Sequence, residues 1–176
     1  MTLAYLDESG FSPALPVCRS WTLGGERVFI PHESNHQQRV NVMAAVIGQG
    51  SAPSLTWMLA ARTFRSEDLL NFIENGIPRG PCGLVVVLDN AGLHRSRVVH
   101  AAVRRLRRKG IELYYLPPYA PELNAIEVLF GAIKHHDLPE RTYLQLDRLT
   151  TAVDGAFERA ESRLKTRCAQ NPWLAA

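Results

Sequence analysis

The chain has 176 residues, 46% of them hydrophobic and 21% charged, with a formal net charge of +3. That length suits one domain with a substantial buried core. No apolar stretch approaches the ~20 residues a membrane helix needs, the N-terminus has neither the basic start nor the long apolar centre of a secretory signal, and Cys18, Cys82 and Cys168 lack the spacing of a disulfide framework or a zinc clip. A cytoplasmic protein with reduced thiols is expected.

Residues 2 to 6 read as a short strand that delivers Asp7 and Glu8 to the turn-forming stretch SGFSPALP. Residues 17 to 30 read as a hairpin around Gly24-Gly25, VNVMAAVIG (40 to 48) as a third strand and LTWMLAART as a fourth. Ser66 is the expected N-cap of an amphipathic helix, EDLLNFIENG, that stops at Gly76 and Pro78. A buried-type strand at 84 to 88, a basic helix from about 96 to 109 ended by Gly110, and the strand IELYYLP follow in β-α-β order. That order argues for adjacent parallel strands after an antiparallel opening. PPYAPELN is a proline-pinned loop, and a helix is expected from about Glu122 to Pro139. A last helix, from about 142 to 165, sets Leu149, Val153, Phe157, Ala160 and Leu164 on one face. Trp21, Trp57 and Tyr114 read as core residues.

Three acids hold informative places: Asp7 after the first strand, Asp89 after the central apolar strand, and Glu127 on the helix after the proline loop. Any one alone reads as a turn or capping residue. Together, at strand ends and on a helix beside them, they would repel one another unless hard divalent cations were held between them. A pair of Mg2+ ions so held supports phosphodiester chemistry. Glu8 is expected on the strand face opposite Asp7, because side chains alternate, and Glu122 near a helix start. His94 either orients a ligand or contacts phosphate, against the plainer reading of a capping or solvated histidine. Residues 95 to 109 contain seven Arg or Lys and no acid. Arg104, Arg105, Arg107, Arg108 and Lys109 are therefore either a solvated face or sequence-independent, salt-sensitive contacts to DNA phosphates.

LDESGF (6 to 11), RSW followed by GG (19 to 25), LDNAGLH (88 to 94) and LPPYAPELNAIEVLFGAIK (116 to 134) resemble, in order and spacing, the catalytic domain of DDE transposases of the mariner superfamily, above all its bacterial insertion-sequence branch. The match runs from residue 3 to about 136. The resemblance implies a ribonuclease-H-like, retroviral-integrase-like α/β fold: a mixed sheet with antiparallel first strands, parallel later strands and flanking helices. It places Asp7, Asp89 and Glu127 on the metal-binding triad, with two Mg2+ or Mn2+ ions per site. Cleavage and strand transfer at transposon ends and in target DNA, and a homodimer, are also implied. Arg19 and Lys134 lie inside the motifs and are the basic residues best placed to contact DNA near the site. Ala125 stands where the family usually has Pro, and Ala120 where it often has Ser; neither substitution removes a ligand. The chain begins six residues before Asp7, so the family's helix-turn-helix region is expected to be absent and supplied by a separate or frameshift-joined frame. A nucleoid-associated location follows. Two alternatives stay open: another ribonuclease-H-like nuclease or resolvase, and a silent truncated copy that regulates a full-length transposase.

Overall fold

Alternation of side chains along the strands decides which face each helix covers. β1 (Thr2–Phe11), β2 (Val40–Ile47) and β3 (Ser54–Ala60) pair antiparallel. β4 (Leu84–Leu88) and β5 (Ile111–Tyr115) join the other side of β1 in parallel, giving the order β3-β2-β1-β4-β5. The computed structural model describes residues 1–13, 39–48, 53–118, 120–138, 143 and 145–170. The expected hairpin at 17 to 30, with Cys18, Arg19 and Trp21, lies outside the described residues.

On one face Ala4, Leu6, Met43, Ala45, Leu84, Val86 and Leu88 pack with α1 (Ser66–Asn71) and α2 (Arg97–Arg108) through Leu69, Leu70, Val99, Ala102 and Leu106. On the other, Phe11, Val40, Val42 and Ala44 pack with α3 (Ala125–Ala132) and α4 (Leu146–Gln170) through Ile126, Phe130, Leu149, Val153, Phe157 and Ala160. Each fully buried aliphatic or aromatic side chain contributes roughly 1.5–3 kcal/mol, and these contacts hold the helices on the sheet. The apolar face read from α4 is the one that packs, with Leu164 partly buried at its far end. Trp57 donates its indole N–H to Asp154 at 2.7 Å while its ring lies 5.6 Å from that of Phe157.

Several expectations shift. Ser66 does not cap α1. It is the first helical residue, Arg65 holds the N-cap position, and the Asp68 carboxylate accepts the Arg65 N–H at 2.8 Å while Arg62 grips it from outside. Ser66 instead hydrogen-bonds to the Ser96 hydroxyl at 2.7 Å, and Ser96 is the residue that caps α2, through the Val99 N–H. Tyr114 is 57% exposed rather than core, because α3 and α4 lie over β1, β2 and β3 and leave that face of β5 bare. The helix expected from Glu122 begins at Ala125, after a separate 3-10 turn at Pro121–Leu123 that carries an exposed Glu122. α3 then widens into a π-type turn, Ile133–Asp137. The buried Asp137 carboxylate at its end accepts both guanidinium N–H groups of Arg163, and its carbonyl accepts Arg159 at 2.8 Å, so α3 and α4 are tied at that end.

One close approach demands glycine. Gly83 and Gly110 lead into β4 and β5 with φ of +93° and +73°, and the Gly110 carbonyl accepts the Leu84 N–H at 2.8 Å. A Cβ on Gly83 would lie 2.6 Å from that carbonyl oxygen, so this parallel pair starts only where a side chain is missing.

Candidate active site at the carboxyl ends of the central strands

β1 and β4 run parallel with Tyr5 opposite Val87. Two residues further along each strand, the register sets Asp7 beside Asp89. Asp7 lies opposite Ala44 of β2, which packs on the α3–α4 side, and Glu8 lies opposite Met43, which packs on the α1–α2 side. Glu8 therefore points to the face opposite Asp7, as alternation requires. α3 packs against β1 on the Asp7 side and carries Glu127 in its first turn. Asp89 and Glu127 line one cleft of about 470 Å3, together with Asn90, Ala91, Leu116, Pro117, Pro118, Ala120 and Asn124.

The carboxylates are held by local hydrogen bonds. Asp7 Oδ1 accepts its neighbour's Glu8 N–H at 2.7 Å, and Asp89 Oδ1 accepts the Ala91 N–H at 2.9 Å. His94 is 0% exposed and bridges the two faces: Nδ1 lies 2.5 Å from Asp89 Oδ1, and Nε2 lies 3.2 Å from Glu8. Its backbone carbonyl accepts the Tyr115 hydroxyl at 2.9 Å. Burial disfavours the imidazolium, but the Glu8 hydrogen bond and charge and the Asp89 charge outweigh burial and raise the His94 pKa from 6.5 to about 9. Both ring nitrogens then donate. Both ring nitrogens of His94 thus face carboxylates, Asp89 and Glu8, rather than solvent.

Asp7 is pushed the other way, from 3.8 up to about 7, first by burial and then by the negative charges of Asp89 and Glu8, against the pull of the Glu8 N–H and of His94. A carboxylate so crowded by other carboxylates is what a divalent cation relieves, and the donor set of hard carboxylate oxygens fits Mg2+ or Mn2+ rather than zinc. Asp7, Glu8 and His94 also bring potential ligand atoms within 4.8 Å of one another. His94, with both nitrogens committed to carboxylates, is not free to serve as a ligand; of that group Asp7 and Glu8 remain, and Asp89 and Glu127 add their carboxylates along the cleft.

The basic residues are placed less centrally. Lys134, seven residues after Glu127, is half-buried with its ammonium 5.2 Å from the centre of the Phe11 ring, and burial, then Arg39, hold its pKa below the usual value. Arg105 is tied to Glu74 at 2.6 Å, Lys109 also pairs with Glu74, and Arg107 pairs with Glu112. Arg104 and Arg108 are exposed and, among the described residues, are paired with no carboxylate. α2 leaves the catalytic edge at Ser96, so at ~1.5 Å per residue Arg104 and Arg108 stand roughly 12 and 18 Å down the helix from it. They are not brought into the cleft.

Two amides in the cleft were missed as candidates. Asn90 donates to the Leu116 carbonyl at 2.6 Å and accepts from Arg95 at 3.0 Å, and Asn124 opens α3. The Asp-Asn pair that ends β4 carried a signal for the first. The second stands in the proline-loop motif that leads to Glu127, where only the acid was singled out as a site residue.

A mixed five-stranded sheet flanked by helices, with carboxylates gathered at the ends of its two central strands, defines a ribonuclease-H-like fold. The family model described as DDE superfamily endonuclease matches residues 2–150, and the chain belongs to that family. Among solved structures it is similar to the Mos1 transposase paired-end complex with left transposon end (TM-score 0.60, 16% identity, 95% of this chain and 53% of that one). It is also similar to the Mos1 mariner paired-end complexes with Mn (0.63, 15%, 99% and 56%) and with Mg (0.64, 17%, 96% and 51%). The chain thus spans about half the length of the solved chains it matches. Comparison with curated proteins by sequence gives no match. No helix among the described residues is long and apolar enough to cross a membrane.

Proposed function

We propose that this chain is the catalytic domain of a transposase that cuts DNA at transposon ends and joins the freed 3′ end to target DNA, using divalent cations. The observation that carries the reading is the shared cleft of Asp89 and Glu127 beside the crowded, desolvated carboxyl of Asp7. Its support from relatives is that the Mos1 structures are complexes with transposon DNA, Mn and Mg.

In this mechanism Asp7, Asp89 and Glu127 would hold the cations, two per site. Bound there, Mg2+ or Mn2+ supplies Lewis-acid activation of a water or 3′-hydroxyl and neutralises charge on the leaving oxygen. The residues of the chain do the rest. His94 fixes the Asp89 carboxylate, and its positive charge offsets part of the repulsion among Asp7, Glu8 and Asp89 before the cations arrive. Leu116, Pro117 and Pro118 wall the cleft and limit bulk water. No side chain needs to act as a nucleophile. Lys134 and Arg19 are assigned to phosphates near the site, and Arg104 and Arg108 to phosphates further along the duplex. The assembly is a homodimer acting with a helix-turn-helix subunit or joined domain on the nucleoid in a bacterial cytoplasm.

The test pairs calorimetric Mg2+ titration with nicking of a terminal-repeat duplex. Asp89→Asn is expected to slow cleavage by about 10^3-fold or more, through lost stabilisation of transition-state charge, while DNA retention stays near wild type. Cutting by Asp89→Asn at the parental rate would refute the assignment. Cleavage without any preference for transposon ends, even with the partner subunit present, would favour a general nuclease instead, and metal binding without cleavage would favour a silent regulator.

A further inference from the structure

Asn124 is 0% exposed, yet neither its Nδ2 nor its Oδ1 has a hydrogen-bond partner. Buried amides are almost always satisfied, because an unpaired donor or acceptor away from water costs free energy. Among the described residues, two other asparagines follow that rule. Asn90 is engaged at both ends, and Asn41 donates to the Arg62 carbonyl at 3.1 Å. Nor is Asn124 excused by its position: it is the N-cap residue of α3, where an Asn side chain ordinarily accepts a backbone N–H, but no such bond is made. Only its backbone carbonyl takes part, accepting the Glu127 N–H at 3.0 Å. The residue walls the same cleft as Asp89 and Glu127.

The chemistry of that wall says what is missing. An amide offers one acceptor oxygen and a donor NH2. Among the described residues the charged groups lining the cleft are carboxylates, which when ionised only accept, with no Lys or Arg beside them. The Asn124 oxygen therefore needs an O–H brought in from outside, and its NH2 needs an acceptor. A phosphodiester about to be attacked by a water or a 3′-hydroxyl supplies one of each. Resting on the transposase reading above, we propose that Asn124 is a further catalytic residue. Its Oδ1 accepts a hydrogen bond from the attacking hydroxyl, and its Nδ2 donates to a non-bridging oxygen of the scissile phosphate, so that the two reactants are aligned. Asn124 forms and breaks no bond itself. The attacking oxygen bonds to phosphorus, the P–O3′ bond breaks, and in hydrolysis the proton lost by the water is balanced by one gained at the 3′ oxygen.

The experiment uses the full chain and reads four quantities for wild type and Asn124→Ala: melting temperature, Mn2+ binding by calorimetry, Mn2+-dependent nicking of supercoiled plasmid, and side-chain amide resonances in 15N-labelled protein. Asn124→Ala is expected to melt at or above the wild-type temperature, since it removes an unsatisfied buried group, and to bind Mn2+ as wild type does. Its nicking should be about 100-fold slower, the size of losing one positioned donor. The Asn124 NH2 signals, assigned by their loss in Asn124→Asp, should move when a short duplex is added with Ca2+ in place of Mn2+. Wild-type nicking by Asn124→Ala, a fall in its melting temperature, or amide signals indifferent to the duplex would each overturn the inference. If the wild-type chain itself does not nick, the transposase reading is what fails, and the amide signals still decide whether Asn124 meets the phosphodiester.

Discussion

Replacing Asp7 by Asn should make the free protein more stable, and by an amount that depends on pH. The Asn oxygen keeps the bond from the Glu8 N–H, so the substitution removes charge and little else. In the folded chain burial and the neighbouring carboxylates raise the Asp7 pKa from 3.8 to about 7. The sign follows from proton linkage: the folded state holds this proton more tightly than the unfolded one, so stability is greatest below pH 3.8 and is lost as pH rises toward about 7. At ~1.36 kcal/mol per pH unit the full shift corresponds to roughly 4 kcal/mol. Solvent still reaches the side chain, and screening reduces this to roughly 1–2 kcal/mol. For a chain of this length that is a rise in melting temperature of roughly 2–8 °C at pH 8, shrinking as pH falls and vanishing near pH 4. Thermal melts of both proteins across pH 4 to 8, without and with Mg2+, supply the assay. Mg2+ should raise the wild-type melting temperature and leave that of Asp7→Asn nearly unchanged. A variant less stable than wild type at pH 8, or a gain that does not change with pH, would show that Asp7 is a structural cap and not a strained ligand.

Two further outcomes are expected. His94→Gln should destabilise the protein by about 3 kcal/mol at pH 6, because Glu8 and Asp89 lose the buried positive charge between them. The deficit should narrow as pH rises through about 9, where wild type loses its own proton from His94; chemical denaturation at several pH values checks it. For DNA retention, Arg104→Ala and Arg108→Ala should each reduce the slope of log affinity against log salt by about 1. Arg105→Ala, whose guanidinium is already occupied by Glu74, should change that slope less, as measured by fluorescence anisotropy across a salt series.

What the sequence disclosed follows from how locally each feature is encoded. β4, α2 and β5 were legible because an apolar run, a capped basic helix and a glycine stop lie in succession, and the parallel pairing of β4 with β5 follows from the crossover. The packing face of α4 was legible from periodicity alone. Glu8 and Asp7 were correctly assigned to opposite faces by alternation. The contacts made between distant segments were not legible. Ser66 has the chemistry of a cap, but Asp68 and Arg62 fixed the helix start and left Ser66 to bond with Ser96. Tyr114 alternates like a core residue, but its exposure depends on where α3 and α4 settle. His94 joins residues from β1 and from the end of β4, and no local pattern announces a histidine locked between two carboxylates. Asn124 stands in the motif that leads to Glu127, but its unmade bonds, which depend on the folded cleft, are what point to a use of its own.

The central claim is that Asp7, Asp89 and Glu127 hold divalent cations between them. Anomalous diffraction from crystals soaked in Mn2+ tests it most directly. The account predicts manganese peaks in contact with carboxylate oxygens of all three residues, and none of that density in Glu127→Gln at the position Glu127 completes. Manganese bound by Glu8 and Asp7 alone, with Asp89 and Glu127 uninvolved, would contradict it.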